Sequence, residues 1–242
     1  AEKWGMEKGF IDHIRNTKFA NTLPDRIVSA GETDPVVWVG TEPFADFYVE
    51  KQDGLEFPWK DGAIKIVDDL QKPRDRKIGL LNTFHTAMVH RWISEGRDPL
   101  DLNVEQIIRQ DRKWADDVLE ELTQVVEKLV PDAGMDVRGF ADGVIDRFLN
   151  PTLDHKLDMI ATEHNGKIDD RVKWLLGKAQ EQGVETPLVN EVMQNAISLQ
   201  QSKAGKEAFD ARIDELGDDT KLVSRLKDLT NSHGKLDNAR AY

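Results

Sequence analysis

Cysteine is absent from this chain. That excludes a disulfide framework, a thiolate nucleophile and any cysteine-ligated metal. No apolar run reaches the length of a membrane span, and no charged-then-apolar signal segment opens the sequence. There is no G-x-G-x-x-G and no strand–helix–strand alternation. The turn that seats a dinucleotide pyrophosphate on a helix N-terminus is therefore missing. The six histidines show neither H-x3-H nor H-E-x-x-H spacing, so no metal site is expected. Cations are outnumbered, and the net charge of −12 argues against nucleic acid or an anionic membrane as a partner. What is present is 242 residues with 39% hydrophobic and 32% charged content, the composition of a soluble globular chain. A cytoplasmic location is expected. The first residue is Ala1 rather than Met, which fits a processed or trimmed piece.

Periodicity divides the chain at about residue 72. Glu2 to Thr17 reads as a short helix. Val36 to Val39, Phe47 to Val49 and Ala63 to Val67 are β-rich runs between turn clusters, which predicts a small antiparallel or mixed sheet. From Pro73, a residue suited to a first helical turn, the pattern becomes helical. One helix is expected to run to Gly96. Another covers Val104 to Val130, with a break near Gln110 or Asp111, and a third covers Asp136 to Phe148. Asn150-Pro151 marks a stop. Further helices are expected at Thr152 to Glu163, Asp169 to Gln182, Thr186 to Gln201, Lys206 to Leu216 and Lys221 to Leu229.

The segment Lys77-Ile78-Gly79-Leu80-Leu81-Asn82-Thr83-Phe84-His85 places an amine, an amide and an imidazole in an apolar run. At about 100° per helical residue, taking Lys77 as zero, His85 projects near 80° and Asn82 near 140°. All three lie toward one side of the helix. Such a trio suits carbonyl chemistry: the amine exchanges the proton while amide and imidazole hold the developing alkoxide. The ordinary structural alternative is a snorkelling lysine, a backbone-bonded Asn and a half-buried His.

Lys77-x4-Asn82-x2-His85 resembles the catalytic signature of the mannitol dehydrogenase family of polyol and uronate dehydrogenases. Four further segments follow the family's order. They are Asn21-Thr22-Leu23-Pro24-Asp25-Arg26-Ile27-Val28, then Glu42-Pro43-Phe44 with Tyr48-Val49-Glu50, then Val67-Asp68-Asp69-Leu70 leading to Arg74 and Arg76, and finally Arg147-Phe148-Leu149-Asn150-Pro151. The resemblance implies a mainly α fold, a multi-helix bundle of the type that follows a Rossmann domain (like the C-terminal domain of 6-phosphogluconate dehydrogenase), with a small β-containing segment near the N-terminus. Residues 1–72 become a linker region with a short helix and small sheet, on the periphery of a cofactor half. Residues 73–242 become the helical substrate and catalytic domain.

The resemblance further implies Lys77, Asn82 and His85 as catalytic residues, and Arg147, Asp25 and Arg74 as substrate ligands. Ordinary alternatives are an ion pair of Arg147 with Asp142 or Asp146, and of Asp25 with Arg26. It also implies NAD(H) or NADP(H), bound mainly by a Rossmann domain N-terminal to this region, which activity would need. The small-molecule substrate is a sugar alcohol, ketose or uronate. Arg74, three residues before Lys77, leans this toward a tagaturonate or fructuronate reductase. Mannitol dehydrogenase, mannitol-1-phosphate dehydrogenase and a non-catalytic helical interaction module are the other readings. The sequence departs from the family at Pro24, at Arg74 where a tyrosine is usual, and at Gly166 to Arg171, which keeps Lys and Arg but lacks Leu-Pro.

Overall fold

A computed structural model describes residues 5–28, 39–56, 62, 64–95, 103–131, 135–153, 155–157, 160 and 164–201. The chain is mainly helical, with one small sheet near its N-terminus. Helix α1 (Lys8–Asn16) precedes strands β1 (Thr22–Asp25), β2 (Asp46–Glu50) and β3 (Ile64–Val67). The strand order is β1-β2-β3, with β1 antiparallel and β3 parallel to β2. This is the mixed sheet that the sequence suggested. Its first strand is Thr22–Asp25, which was not expected as a strand; most of the run from Val36 lies outside the described residues. Pro24 is tolerated because β1 is an edge strand, where a missing N–H breaks no ladder.

The helices follow as α2 (Gln71–Lys77), α3 (Thr83–Ser94), α4 (Val104–Gln110), α5 (Arg112–Leu129), α6 (Val137–Phe148), α7 (His164–Lys167), α8 (Trp174–Gln182) and α9 (Pro187–Gln201). Two expected single helices are interrupted. A π-helical turn, Ile78–Asn82, joins α2 to α3, and a second, Ile168–Lys173, joins α7 to α8. The helix expected from Thr152 begins instead as a 3-10 turn over Pro151–Leu153, and Lys156 pairs with Asn103 in an isolated bridge. The helices expected beyond Lys206 lie outside the described residues. No helix among the described residues is long and apolar enough to cross a membrane.

Local sequence explains the boundaries. Asn103 and Gln106 form a reciprocal capping box at the start of α4. Asp111 closes α4 and its side chain accepts from Trp114 N to open α5, which is the break expected at that point. Asp136 caps α6 through Gly139 N at 2.7 Å. Gly183 ends α8 in the left-handed conformation at φ 64°, which costs glycine little. Helix α5 buries Ala115, Val118, Leu119, Leu122, Val125 and Val126, a stripe at three- and four-residue spacing. Its outer face carries Arg112–Asp116 and Lys113–Asp117 pairs four apart.

Helix α3 is different. Every residue from Thr83 to His90 is buried, polar ones included. It is the central helix of the bundle, enclosed on all sides. The preceding π turn reaches this position through Gly79. A Cβ there would stand 2.5 Å from Val126 Cγ2 and 3.3 Å from Leu175 Cδ1. Gly79→Ala is therefore expected to overpack the contact with α5 and α8 and to cost about 1–3 kcal/mol. Urea unfolding of the two proteins measures this, and an unchanged midpoint would contradict the close approach.

Candidate active site

Lys77 is the last residue of α2, and its ammonium donates to Pro24 O in β1 at 2.5 Å. Half-burial pushes its pKa below the ordinary lysine value. Asp25 works against that shift, Arg147 and Arg171 reinforce it, and Glu42 opposes it. The amine thus stands above a mixed cluster of two carboxylates and two guanidiniums. Of the cations that the sequence suggested around it, Arg147 is present. Arg171 is the cation that reasoning from spacing missed.

The π turn changes the projection of the trio. Thr83 N reaches back to Ile78 O, five residues away, so one extra residue is accommodated between Lys77 and α3. Removing one residue's rotation, about 100°, brings Asn82 to roughly 40° and His85 to roughly −20° from Lys77. Amine, amide and imidazole lie closer to one line than a regular helix would place them. Asn82 sits at the end of the turn, half-buried. Its backbone oxygen accepts from Thr86 Oγ1 and from Arg171 Nη1, while its carboxamide makes no hydrogen bond among the described residues. Helix interiors disfavour Asn, and here the amide remains available.

His85 follows one turn later in α3. Its ring stacks on Phe148 at 4.2 Å and meets the edge of His155 at 4.8 Å. Burial drives its pKa well below the ordinary histidine range, and His155, Arg171, Arg147 and Lys167 push the same way. It is a neutral imidazole at physiological pH. Its Nε2 is buried with no partner among the described residues. Burial also lowers the pKa of His155 to about 4, and its Nδ1 is likewise buried without a partner.

Arg147, near the end of α6, is committed. Its Nε donates to Glu42 Oε2 at 2.9 Å, and its Nη2 donates to Asp25 Oδ1 at 2.9 Å and Glu42 Oε1 at 2.7 Å. The three residues are 8%, 2% and 1% exposed, which makes this a buried network. Burial alone would lower the arginine pKa, but the hydrogen bonds to Glu42 and Asp25 outweigh it and raise it. The guanidinium also lies over Phe44 at 4.1 Å. Its partners are thus Asp25 and Glu42, and among the described residues it makes no bond to Asp142 or Asp146. Arg26, for its part, donates to Glu42 O. Nη1 of Arg147 is buried without a partner among the described residues.

A second arginine crosses from bundle to sheet beside it. Arg76 donates to Tyr48 Oη at 2.7 Å and lies over Phe140 at 4.2 Å. Tyr48 in turn donates to Asp46. Arg74 stands apart on the exposed side of α2. Glu42 belongs to the matched Glu42-Pro43-Phe44 segment, and the acid there is the sequence signal of its role. Among the described residues no group of three or more His, Asp or Glu is placed to hold a metal ion. A groove between α5 and α6 includes none of these residues and is edged by the paired Arg112–Asp116 and Arg138–Glu120.

No protein-family profile matches the chain. Its fold resembles that of Pseudomonas fluorescens mannitol 2-dehydrogenase, solved as a ternary complex with NAD and D-mannitol. The TM-score is 0.64 and the identity 18%, over 94% of this chain and 54% of that one. In sequence it is similar to the altronate oxidoreductase of Yersinia pestis, 27% identical over 258 aligned positions that cover 98% of this chain and 51% of that protein. It is also similar to the mannitol-1-phosphate 5-dehydrogenase of Phaeosphaeria nodorum, 24% identical over 90% of this chain and 57% of that protein. The chain is related to the mannitol dehydrogenase family of polyol dehydrogenases. It corresponds to the C-terminal portion of those proteins and spans about half the length of the curated relatives it matches.

Proposed function

We propose that this chain is the substrate-binding and catalytic part of a nicotinamide-dependent oxidoreductase. It interconverts a sugar alcohol or aldonate with its ketose or keto-uronate, with the uronate pair favoured. The observation that carries the reading is the half-buried Lys77 ammonium, held at a π turn beside Asp25, Arg147 and Arg171. Lys77 gives its proton to the substrate oxygen during reduction and takes it back during alcohol oxidation. The Asn82 amide donates to the same oxygen as charge develops on it. His85, neutral, orients a substrate hydroxyl without adding charge. Asp25 and Arg147 hold the floor of the site, and a substrate contact from Arg74 requires a ligand that reaches the outer side of α2.

The mixed three-stranded sheet offers no strand–glycine turn–helix cradle among the described residues. These residues do not fit a dinucleotide, and NAD(H) or NADP(H) is assigned to an N-terminal Rossmann domain beyond this chain. Residues 1–72 flank that domain in this reading, and residues 73–242 form the helical catalytic domain. The test is nicotinamide oxidation by the full polypeptide with keto-uronates, ketoses and ketose phosphates. Turnover with at least one of them is expected. A preparation that binds the nucleotide yet turns over none would leave the chain a non-catalytic helical module.

A further inference from the structure

We propose that Arg171 receives the carboxylate of the substrate, which makes this a site for a hexuronate and its aldonate rather than for a neutral ketose and polyol. The proposal rests on the dehydrogenase reading and deepens it by naming the group that selects the substrate class.

An anionic substrate needs a cation that is not already spent. Arg147 is bonded to two buried carboxylates. Arg76 is taken by Tyr48, with Asp46 at 3.9 Å. Lys72 and Arg74 are exposed on α2, away from the buried network. Lys77 donates to Pro24 O and carries the reacting proton. Arg171 is left. It stands on the π turn Ile168–Lys173, and its Nη1 donates to Asn82 O at 3.3 Å and to Thr86 Oγ1 at 3.2 Å. Both acceptors are neutral. Nε and Nη2 make no hydrogen bond among the described residues.

The two π turns therefore meet through this guanidinium, which is anchored at one corner and has two donors to spare. A planar fork with adjacent free N–H groups matches a carboxylate bidentately. Its charge is felt at both Lys77 and His85, so an anion bound there lies beside the reacting centre. Burial lowers the pKa of Arg171, and only Asp170 offsets this. A partly desolvated cation without an ion pair gains most from an anionic ligand. The sequence marked Arg171 only as the arginine kept in the Gly166 to Arg171 stretch; its contact with Asn82, 89 residues away, has no local signal.

The test is calorimetric titration of the full polypeptide with D-altronate, mannitol and mannitol 1-phosphate. Arg171→Gln is expected to weaken altronate binding about 10- to 100-fold, the worth of a charge-assisted hydrogen-bonded pair. Mannitol binding should change less than about threefold, within the ordinary scatter of surface changes. Circular dichroism checks the fold. Arg171→Lys keeps the charge without the fork and should show a smaller but still selective loss, and it carries the test if the glutamine variant does not fold. Equal losses for altronate and mannitol would reveal a structural role and overturn the proposal. So would a loss confined to the phosphate ester. Unchanged binding of altronate, with mannitol bound normally, overturns this assignment and leaves the dehydrogenase reading standing. A wild-type protein that binds none of the three removes both.

Discussion

Lys77→Ala in the full polypeptide is expected to lower turnover by about 10²- to 10⁴-fold, the usual worth of a positioned proton donor. The fold should survive. Lys77 lies half-buried at a helix end, its one hydrogen bond goes to a backbone carbonyl, and the nearby Asp25 and Glu42 keep their bonds to Arg147 when the side chain is truncated. Pro24 O sits on an edge strand and can turn to water. The loss should fall on turnover more than on substrate affinity, because the amine acts on an oxygen whose charge develops only in the transition state. The pH profile supplies a second signature. The lowered pKa of Lys77 means that the neutral amine appears at a lower pH than in an ordinary lysine. Alcohol oxidation needs the neutral amine, so its rate rises with pH and levels off above that pKa. Ketone reduction needs the ammonium, so its rate falls over the same interval. Steady-state kinetics in both directions measure the two limbs. A Lys77→Ala enzyme that keeps near-normal turnover, or limbs that run the opposite way, would falsify the assignment.

Arg147→Met is expected to cost about 3–5 kcal/mol of stability, the penalty for stranding buried charge. Asp25 and Glu42 would then lose the guanidinium bonded to both of them, leaving only the half-buried Lys77 ammonium as a nearby positive charge. Like-charged carboxylates in such a setting repel as well as being desolvated. At roughly 2–4 °C per kcal/mol for a chain of this size, the melting temperature should drop by about 6–20 °C. Glu42→Gln is the milder change. The amide keeps an oxygen for Ile27 N or Arg147, and Asp25 still balances the guanidinium. Thermal and urea unfolding of the two variants should rank them in that order. A loss below about 1 kcal/mol for Arg147→Met would mean that the network is open to water, as exposed ion pairs are.

Much of this was legible in the chain. The trio Lys77, Asn82 and His85 stood out because three polar groups interrupt an apolar run. The break at Gln110 and Asp111 was visible because Asp111 is a helix-capping residue followed by a fresh helical period. What stayed hidden was either non-local or non-periodic. Ile78 to Asn82 reads as ordinary helix, and only Gly79 hinted that the backbone there comes unusually close to its neighbours. The extra residue of the π turn has no compositional mark, yet it swings Asn82 and His85 toward Lys77. Local spacing offered Asp142 and Asp146 as partners for Arg147, whereas the true partners come from two other matched segments. Pro24 disguised β1, because proline argues against a strand except at an edge.

The bonds from Arg147 reach back 122 residues to Asp25 and 105 to Glu42. Contacts that distant in sequence must close a long loop before they return any energy, whereas packing between neighbouring helices does not. A growing or half-folded chain can therefore build much of its bundle while the Lys77 amine is still bathed in solvent, with ordinary proton affinity. In the catalytic role proposed for it, the lysine becomes poised only when the first strand has docked and Pro24 O receives its ammonium.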